Sequence, residues 1–192
     1  MPLYLIRHPQ PDIDAGICYG RSDLGIVGDA ATCAAKLAPL LPPAAPLYAS
    51  PLRRCLALAQ ALHAAPMVDA RLMEMDFGAW EMRRWDDIPR AEIDAWAADP
   101  LGYAPGGGES ADALRRRVAA LLDELPDVAV LVAHNGVLRA CMAELTGVAD
   151  WYKLHFDYGS VSLIEGGQLV WHNRADASAS RTETKVWRTK DE

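Results

Sequence analysis

The stretch Val128-Ala-Val-Leu-Val-Ala133, followed at once by His134-Asn-Gly136, decides the fold class. It is a continuous apolar run rich in β-branched residues, and it reads as a central strand buried on both faces. A helix is predicted after it, from about Val137 to Leu145. Leu3 to Ile6 repeats the pattern on a smaller scale, a short buried strand ended by Arg7-His8-Pro9.

Working outward, residues 9–28 are rich in Pro, Gly and Asp and read as a loop. Asp29 to Leu41 reads as a helix stopped by the prolines at 42, 43 and 46. Leu47 to Ser50 is a second short strand, and Pro51 opens a helix to His63 with proline in its first turn. Met67 to Leu72 is a third strand in this reading, and a helix runs from Pro89 to Ala97. Ser110 suits the N-cap of a helix over 111–124, and Ser160 to Ile164 with Gln168 to Trp171 forms a hairpin across Glu165-Gly-Gly. Strands alternating with helices predict an α/β fold, a three-layer α/β/α sandwich on a mostly parallel sheet. One domain is expected over residues 1–175, with a polar C-terminal tail over 176–192.

With 192 residues and 51% apolar content, the chain can bury a substantial core. Its formal net charge of −7 argues against a nucleic-acid surface. Cys18, Cys33, Cys55 and Cys141 are scattered and show no metal-ligand spacing, so free thiols in a reducing compartment are expected. No apolar run has the length of a signal peptide's core or a membrane span. A soluble cytoplasmic protein, with no membrane partner, is the expectation.

Position ties the chemistry together. If the first strand and the strand before His134 are parallel neighbours, His8 and His134 meet at the carboxyl edge of the sheet, where open α/β folds bind ligands. Ser50 and the Arg53-Arg54 pair would come to the same edge, at a helix start suited to anions. Each residue also has a bland reading. A lone histidine after a strand is commonly structural, and an Arg-Arg pair is commonly a solvated face. Trp80, Trp85 and Trp96 suit core or lid packing. Glu74, Asp76 and Glu81 could be ordinary surface charges. Residues 106–108 are glycines, but no Lys-Ser/Thr follows them, so they are no P-loop.

Six segments in order decide between these readings. Leu5-Ile-Arg-His8, Tyr19-Gly-Arg-Ser-Asp-Leu24 and Ser50-Pro-Leu-Arg-Arg54 come first. Leu72-Met-Glu74 with Phe77-Gly-Ala-Trp-Glu81, Gly107-Gly-Glu-Ser110, and Val132-Ala-His134-Asn-Gly-Val-Leu-Arg139 follow. Together they resemble the histidine phosphatase superfamily, also called phosphoglycerate mutase-like, over about residues 3–165. The resemblance implies that His8 attacks phosphorus and becomes phosphohistidine. It implies that Arg7, Arg54 and His134 bind the phosphoryl oxygens, and that Glu74 protonates the leaving oxygen and later activates water. Asn135, where the family usually has glycine, is a further phosphate-binding candidate; Arg21, Glu81 and Glu109 are secondary ones. Pro9 and Met82 also replace usual glycines, and Pro9 stiffens the loop and removes an N–H.

The implied activity is that of a phosphomonoesterase acting on a small phosphorylated molecule, without metal or other cofactor, as a monomer or homodimer. The opening Arg-His-Pro and Cys18-Tyr-Gly-Arg-Ser-Asp-Leu24 resemble α-ribazole phosphatase-like members, which points to α-ribazole 5′-phosphate. The alternatives are a phosphoglycerate mutase-type phosphotransferase, a protein-phosphohistidine phosphatase and a non-catalytic phosphate-binding scaffold.

Overall fold

The computed structural model describes residues 2–178. The expected polar tail lies outside them from residue 179 onward. Six strands form one sheet: β1 (Leu3–Arg7), β2 (Leu47–Ala49), β3 (Met67–Val68), β4 (Ala129–Ala133), β5 (Val161–Glu165) and β6 (Gln168–Arg174), in the order β3-β2-β4-β1-β5-β6. The pairs β1–β4, β4–β2 and β2–β3 are parallel, while β5 runs antiparallel to both β1 and β6.

Side chains of β1 and β4 alternate between two cores, as pleated strands require. Leu3, Leu5, Ala129, Leu131 and Ala133 pack with α4 (Ala111–Leu122) and α5 (Asn135–Thr146). Ile6, Val130 and Val132 pack with α1 (Ala30–Leu37) and α2 (Arg53–Leu62) on the other face. Every residue of β4 is buried, which explains why its sequence is apolar without interruption. A third, smaller cluster of Cys18, Trp80 and Ile88 gathers Phe77, Trp85, Ile93, Trp96 and Tyr103 beneath α3 (Arg90–Ala98). No helix among the described residues is long and apolar enough to cross a membrane.

The elements depart from expectation where side-chain hydrogen bonds override pattern. The third strand ends at Val68 rather than Leu72, because the Asp69 carboxylate accepts from the Arg71 N–H and starts a 3-10 turn over Ala70–Leu72. The first helix gives way to a 3-10 turn over Ala38–Leu40, where Pro39 cannot donate to the previous helical turn. Pro51 lies before α2 instead of inside its first turn. Leu52, extended, donates its N–H to Ser50 Oγ, and the helix begins at Arg53. Helix α5 starts two residues early, directly from His134.

The glycine-rich stretch fits against the segment that follows Glu74. A Cβ on Gly78 would lie 2.3 Å from the Gly106 carbonyl oxygen, and Gly78 also holds φ of +53°. Gly107 holds φ of +74° but has open space around it. Gly107→Ala should therefore cost about 1 kcal/mol of backbone strain, and Gly78→Ala a further ~1–3 kcal/mol of overpacking. Urea unfolding of the two variants checks this; equal losses would mean the two segments do not meet so closely.

Candidate active site

The parallel neighbours β1, β4 and β2 end together. The His8 N–H donates to the Ala133 carbonyl and the Ser50 N–H to the Val132 carbonyl, both at 3.1 Å. His8, His134 and Ser50 thereby reach one edge of the sheet, and the His8 and His134 ring centroids are 5.0 Å apart. His8 is only 2% exposed, and its Nδ1 lies 2.6 Å from the Pro9 carbonyl oxygen. A carbonyl only accepts, so Nδ1 carries the hydrogen and Nε2 keeps its lone pair. Pro9 lacks an N–H, but its carbonyl is the group that selects the tautomer. Burial, then the Arg54 charge, push the His8 pKa down to about 3, against the Pro9 bond, which raises it. The ring is neutral, as a nucleophile needs.

His134 is fully buried, with Nε2 2.8 Å from Ser50 Oγ. Its pKa is well below the usual value, first through burial and then through His8 and the charges of Arg54, Arg117 and Arg7. Arg54 is 0% exposed and donates to the Ser22 carbonyl at 2.7 Å and the Gly20 carbonyl at 2.5 Å. Arg7 donates to the Phe156 carbonyl and lies 3.7 Å over the Tyr158 ring. Among the described residues, the buried side-chain nitrogens or oxygens without a hydrogen-bond partner are Arg7 Nε and Arg54 Nε. An unpaired buried donor on a charged group is costly, and a phosphoryl group supplies several acceptors at once. Arg53, by contrast, is exposed and paired with Asp23.

The acidic candidates separate cleanly. Glu74 lines a cavity of about 400 Å3 together with Arg7, His8, Asn135 and Arg139. Its Oε1 accepts from the Met75 N–H and its Oε2 from the Gly136 N–H, both at 3.0 Å. A Cβ on Gly136 would come within 2.4 Å of Oε1, so a side chain there would displace the carboxylate. Glu81 accepts from the N–H groups of Gly20, Arg21, Ser22 and Phe77 and from the Ser22 hydroxyl. Burial pushes its carboxyl up, but these bonds outweigh burial and hold the pKa below the usual value. Asp76 Oδ1 accepts from the Gly78 N–H. Glu109 pairs with Arg117 and with Arg21, whose guanidinium also reaches Asp76. Asn135 spends its carbonyl oxygen on the Phe156 N–H, so only its amide N–H groups could serve an anion.

Sequence reading assigned no role to four residues at or behind this site. Arg139 lines the cavity one helical turn after Asn135, a spacing that could have revealed it. Tyr19 and Tyr158 share a 2.7 Å hydrogen bond between their hydroxyls, and the Tyr158 ring lies 5.6 Å from that of His8. Arg117 stands behind Glu74. Trp80 belongs to the core, as one bland reading had it, whereas Trp85 and Trp96 also face the cavity. No three His, Cys, Asp or Glu side chains among the described residues group as metal ligands.

The sequence profile of the Histidine phosphatase superfamily (branch 1) matches residues 3–175. The chain belongs to this superfamily. It is 32% identical to glucosyl-3-phosphoglycerate phosphatase of Mycolicibacterium vanbaalenii, over 97% of this chain and 91% of that one. It is 30% identical to adenosylcobalamin/alpha-ribazole phosphatase of Escherichia coli, over 88% and 91% of the two chains. The crystal structure of a phosphoglycerate mutase from Thermus thermophilus superposes with a TM-score of 0.76 at 28% identity, covering 91% of this chain and 99% of that one.

This histidine phosphatase is a hydrolase, and its two neutral histidines make its stability depend on pH. Unfolded, a histidine titrates near 6.5; folded, His8 does so near 3. Between those values the unfolded chain binds the extra proton. Stability is therefore complete above about pH 6.5 and declines as pH falls towards 3. At pH 5 the loss from His8 alone should be about 2 kcal/mol. Urea unfolding at pH 7.5 and pH 5 should show a difference that shrinks by about this amount in His8→Asn. Equal stability of the parent protein at the two pH values would contradict a neutral buried pair.

Proposed function

We propose that this phosphatase hydrolyses a small-molecule phosphomonoester through a phosphohistidine on Nε2 of His8. The observation that carries the reading is a neutral, tautomerically fixed imidazole beside two buried guanidinium groups with unpaired Nε–H donors. Nε2 attacks phosphorus and the P–O bond to the alcohol breaks. Glu74 delivers a proton to the departing oxygen. Water then attacks phosphorus and gives a proton to Glu74 as the N–P bond breaks, and inorganic phosphate and neutral His8 result. Arg7, Arg54 and His134 offset the charge that develops on the phosphoryl oxygens, where each such donor is worth ~10²–10³ in rate. Arg7 and Arg54 supply the positive charge, and the reading includes no metal. Cytoplasmic residence fits four cysteines that are all free thiols.

The cavity speaks to the leaving alcohol. Arg139 is half-buried, lines the cavity, and makes no ion pair among the described residues; its Nε donates to the Leu154 carbonyl. Burial lowers its pKa, against the pull of Glu74. A guanidinium so placed suits a second anionic group on the substrate, such as the carboxylate of a phosphoglycerate-type alcohol. One other observation favours a second reading. Trp85, Trp96, Trp151 and Phe77 line the same cavity and suit a ring-bearing alcohol such as α-ribazole.

In excess EDTA, p-nitrophenyl phosphate should be turned over with release of inorganic phosphate. His8→Ala should lower this by at least ~10³-fold. Labelled phosphate should be trapped on the parent protein in a form stable to alkali and released by acid; an acid-stable label would sink the mechanism. For the substrate, 3-phosphoglycerate should exceed glycerol 3-phosphate by about tenfold in kcat/KM, and Arg139→Met should erase the difference. If α-ribazole 5′-phosphate outperforms both and survives Arg139→Met, the second reading prevails.

A further inference from the structure

Glu74 is held from behind as well as at its carboxylate. Its backbone carbonyl oxygen accepts from two guanidinium groups, Arg117 Nη2 at 3.2 Å and Arg21 Nε at 3.4 Å. The two are not equally secured. Arg117 makes a two-pronged pair with Glu109, Nε to Oε1 at 2.7 Å and Nη2 to Oε2 at 2.8 Å, and its Nη1 donates to the Arg71 carbonyl at 2.5 Å. The side chains of this pair are 17% and 13% exposed, against 37% for Arg21, whose bond to Glu109 stretches to 3.4 Å. A planar, largely buried fork is the stronger and more directional hold.

Glu109 is itself fixed by the backbone. Its N–H donates to the Asp76 carbonyl at 2.8 Å. Gly108 approaches the same carbonyl so closely that a Cβ there would lie 2.2 Å from it. Ser110 caps α4, the helix that carries Arg117. Neither Glu109 nor Arg117 lines the cavity.

We infer that Arg117 and Glu109 are positioning residues for the proton-transfer step, fixing the main chain of Glu74 while the Gly136 and Met75 N–H groups fix its carboxylate. The inference rests on the reading of Glu74 as the general acid. A carboxyl group anchored at both ends keeps a constant distance to the leaving oxygen, and small misplacements of catalytic groups are expensive in rate. Arg117 also contributes charge near His134, so a purely electrostatic role is the competing explanation.

The leaving group separates the two. p-Nitrophenolate departs without a proton, whereas an alkoxide needs one, so a misplaced acid slows alkyl phosphates selectively. The measurement is kcat/KM for glycerol 3-phosphate divided by kcat/KM for p-nitrophenyl phosphate. Arg117→Gln should lower this ratio by about tenfold, Arg117→Lys should restore part of it, and Glu109→Gln should move it in the same direction. In a Glu74→Gln background, Arg117→Gln should leave the ratio unchanged, because there is no acid left to position. Equal losses on both esters, or a loss that persists without Glu74, would overturn the inference. If Glu74→Gln itself leaves the ratio at the parental value, the assignment of the acid falls and the positioning role falls with it. If Glu74→Gln lowers the ratio and the Arg117 and Glu109 variants do not, only the positioning role is lost. Should Arg117→Gln fail to fold, Glu109→Gln carries the same comparison.

Discussion

The loop of residues 20–22 lies between two opposite charges, and the site depends on that sandwich. Its N–H groups converge on the Glu81 carboxylate, while the carbonyls of Gly20 and Ser22 accept from the Arg54 guanidinium. The positive N–H ends of the loop's peptides thus face the anion and the negative carbonyl ends face the cation, and each charge is satisfied without the two side chains touching. Arg54 is thereby buried without a carboxylate partner, and its charge is not cancelled in place. Gly20 is part of the arrangement, since a Cβ there would sit 1.9 Å from the Met75 carbonyl oxygen.

Burial first, with that charge adding to it, sets the state of the histidines. Desolvation alone disfavours an imidazolium, and the guanidinium groups of Arg54 and Arg7 add to it, so His8 is kept as a free base. Positive charge of this kind is local in a chain whose net charge is −7. The carboxylates near the site are kept from neutralising it by other engagements. Glu81 holds the loop, Asp76 holds Gly78, and Glu109 holds Arg117 and Arg21. Glu74 is the acidic side chain left lining the cavity.

The segment from Glu74 to Ser110 contributes Glu74, Phe77, Trp85 and Trp96 to the lining of this cavity. Its aromatic residues pack in a separate small core, with the Trp85 and Trp96 rings stacked at 8° between planes. Three of those rings, Phe77, Trp85 and Trp96, also form cavity surface. Its glycines let two backbones approach, and that approach delivers Glu109 to the arginines behind Glu74. One stretch of chain thus both lines the cavity and holds, through Glu109, the arginines behind Glu74.

The α/β class and Ser110 as a helix cap were legible in the sequence, because they follow from local pattern, whereas the pairing of β1 with β4 that brings His8 and His134 together entered the sequence reading only as a condition, which the structure meets. β4 is apolar at every position, β1 ends in Arg-His, and an N-cap is a bond to residues three positions away. The cationic groups and Glu74 were marked by the family resemblance that the motif order carries: Arg7 and His134 lie at strand ends and Arg54 in a first helical turn, but Glu74 lies in the irregular segment after Leu72, where spacing alone does not single it out. Boundaries failed where one side chain competes with a pattern, as Asp69 does by turning the chain after Val68. Arg117, Arg139 and Tyr158 acquire their roles from partners far along the chain, at Glu74, Leu154 and Tyr19 respectively. Residue types and spacings determined which chemistry is present. Only the tertiary structure decided which charges are paired and which are not, because pairing is a matter of distance in space that periodicity along the chain does not encode.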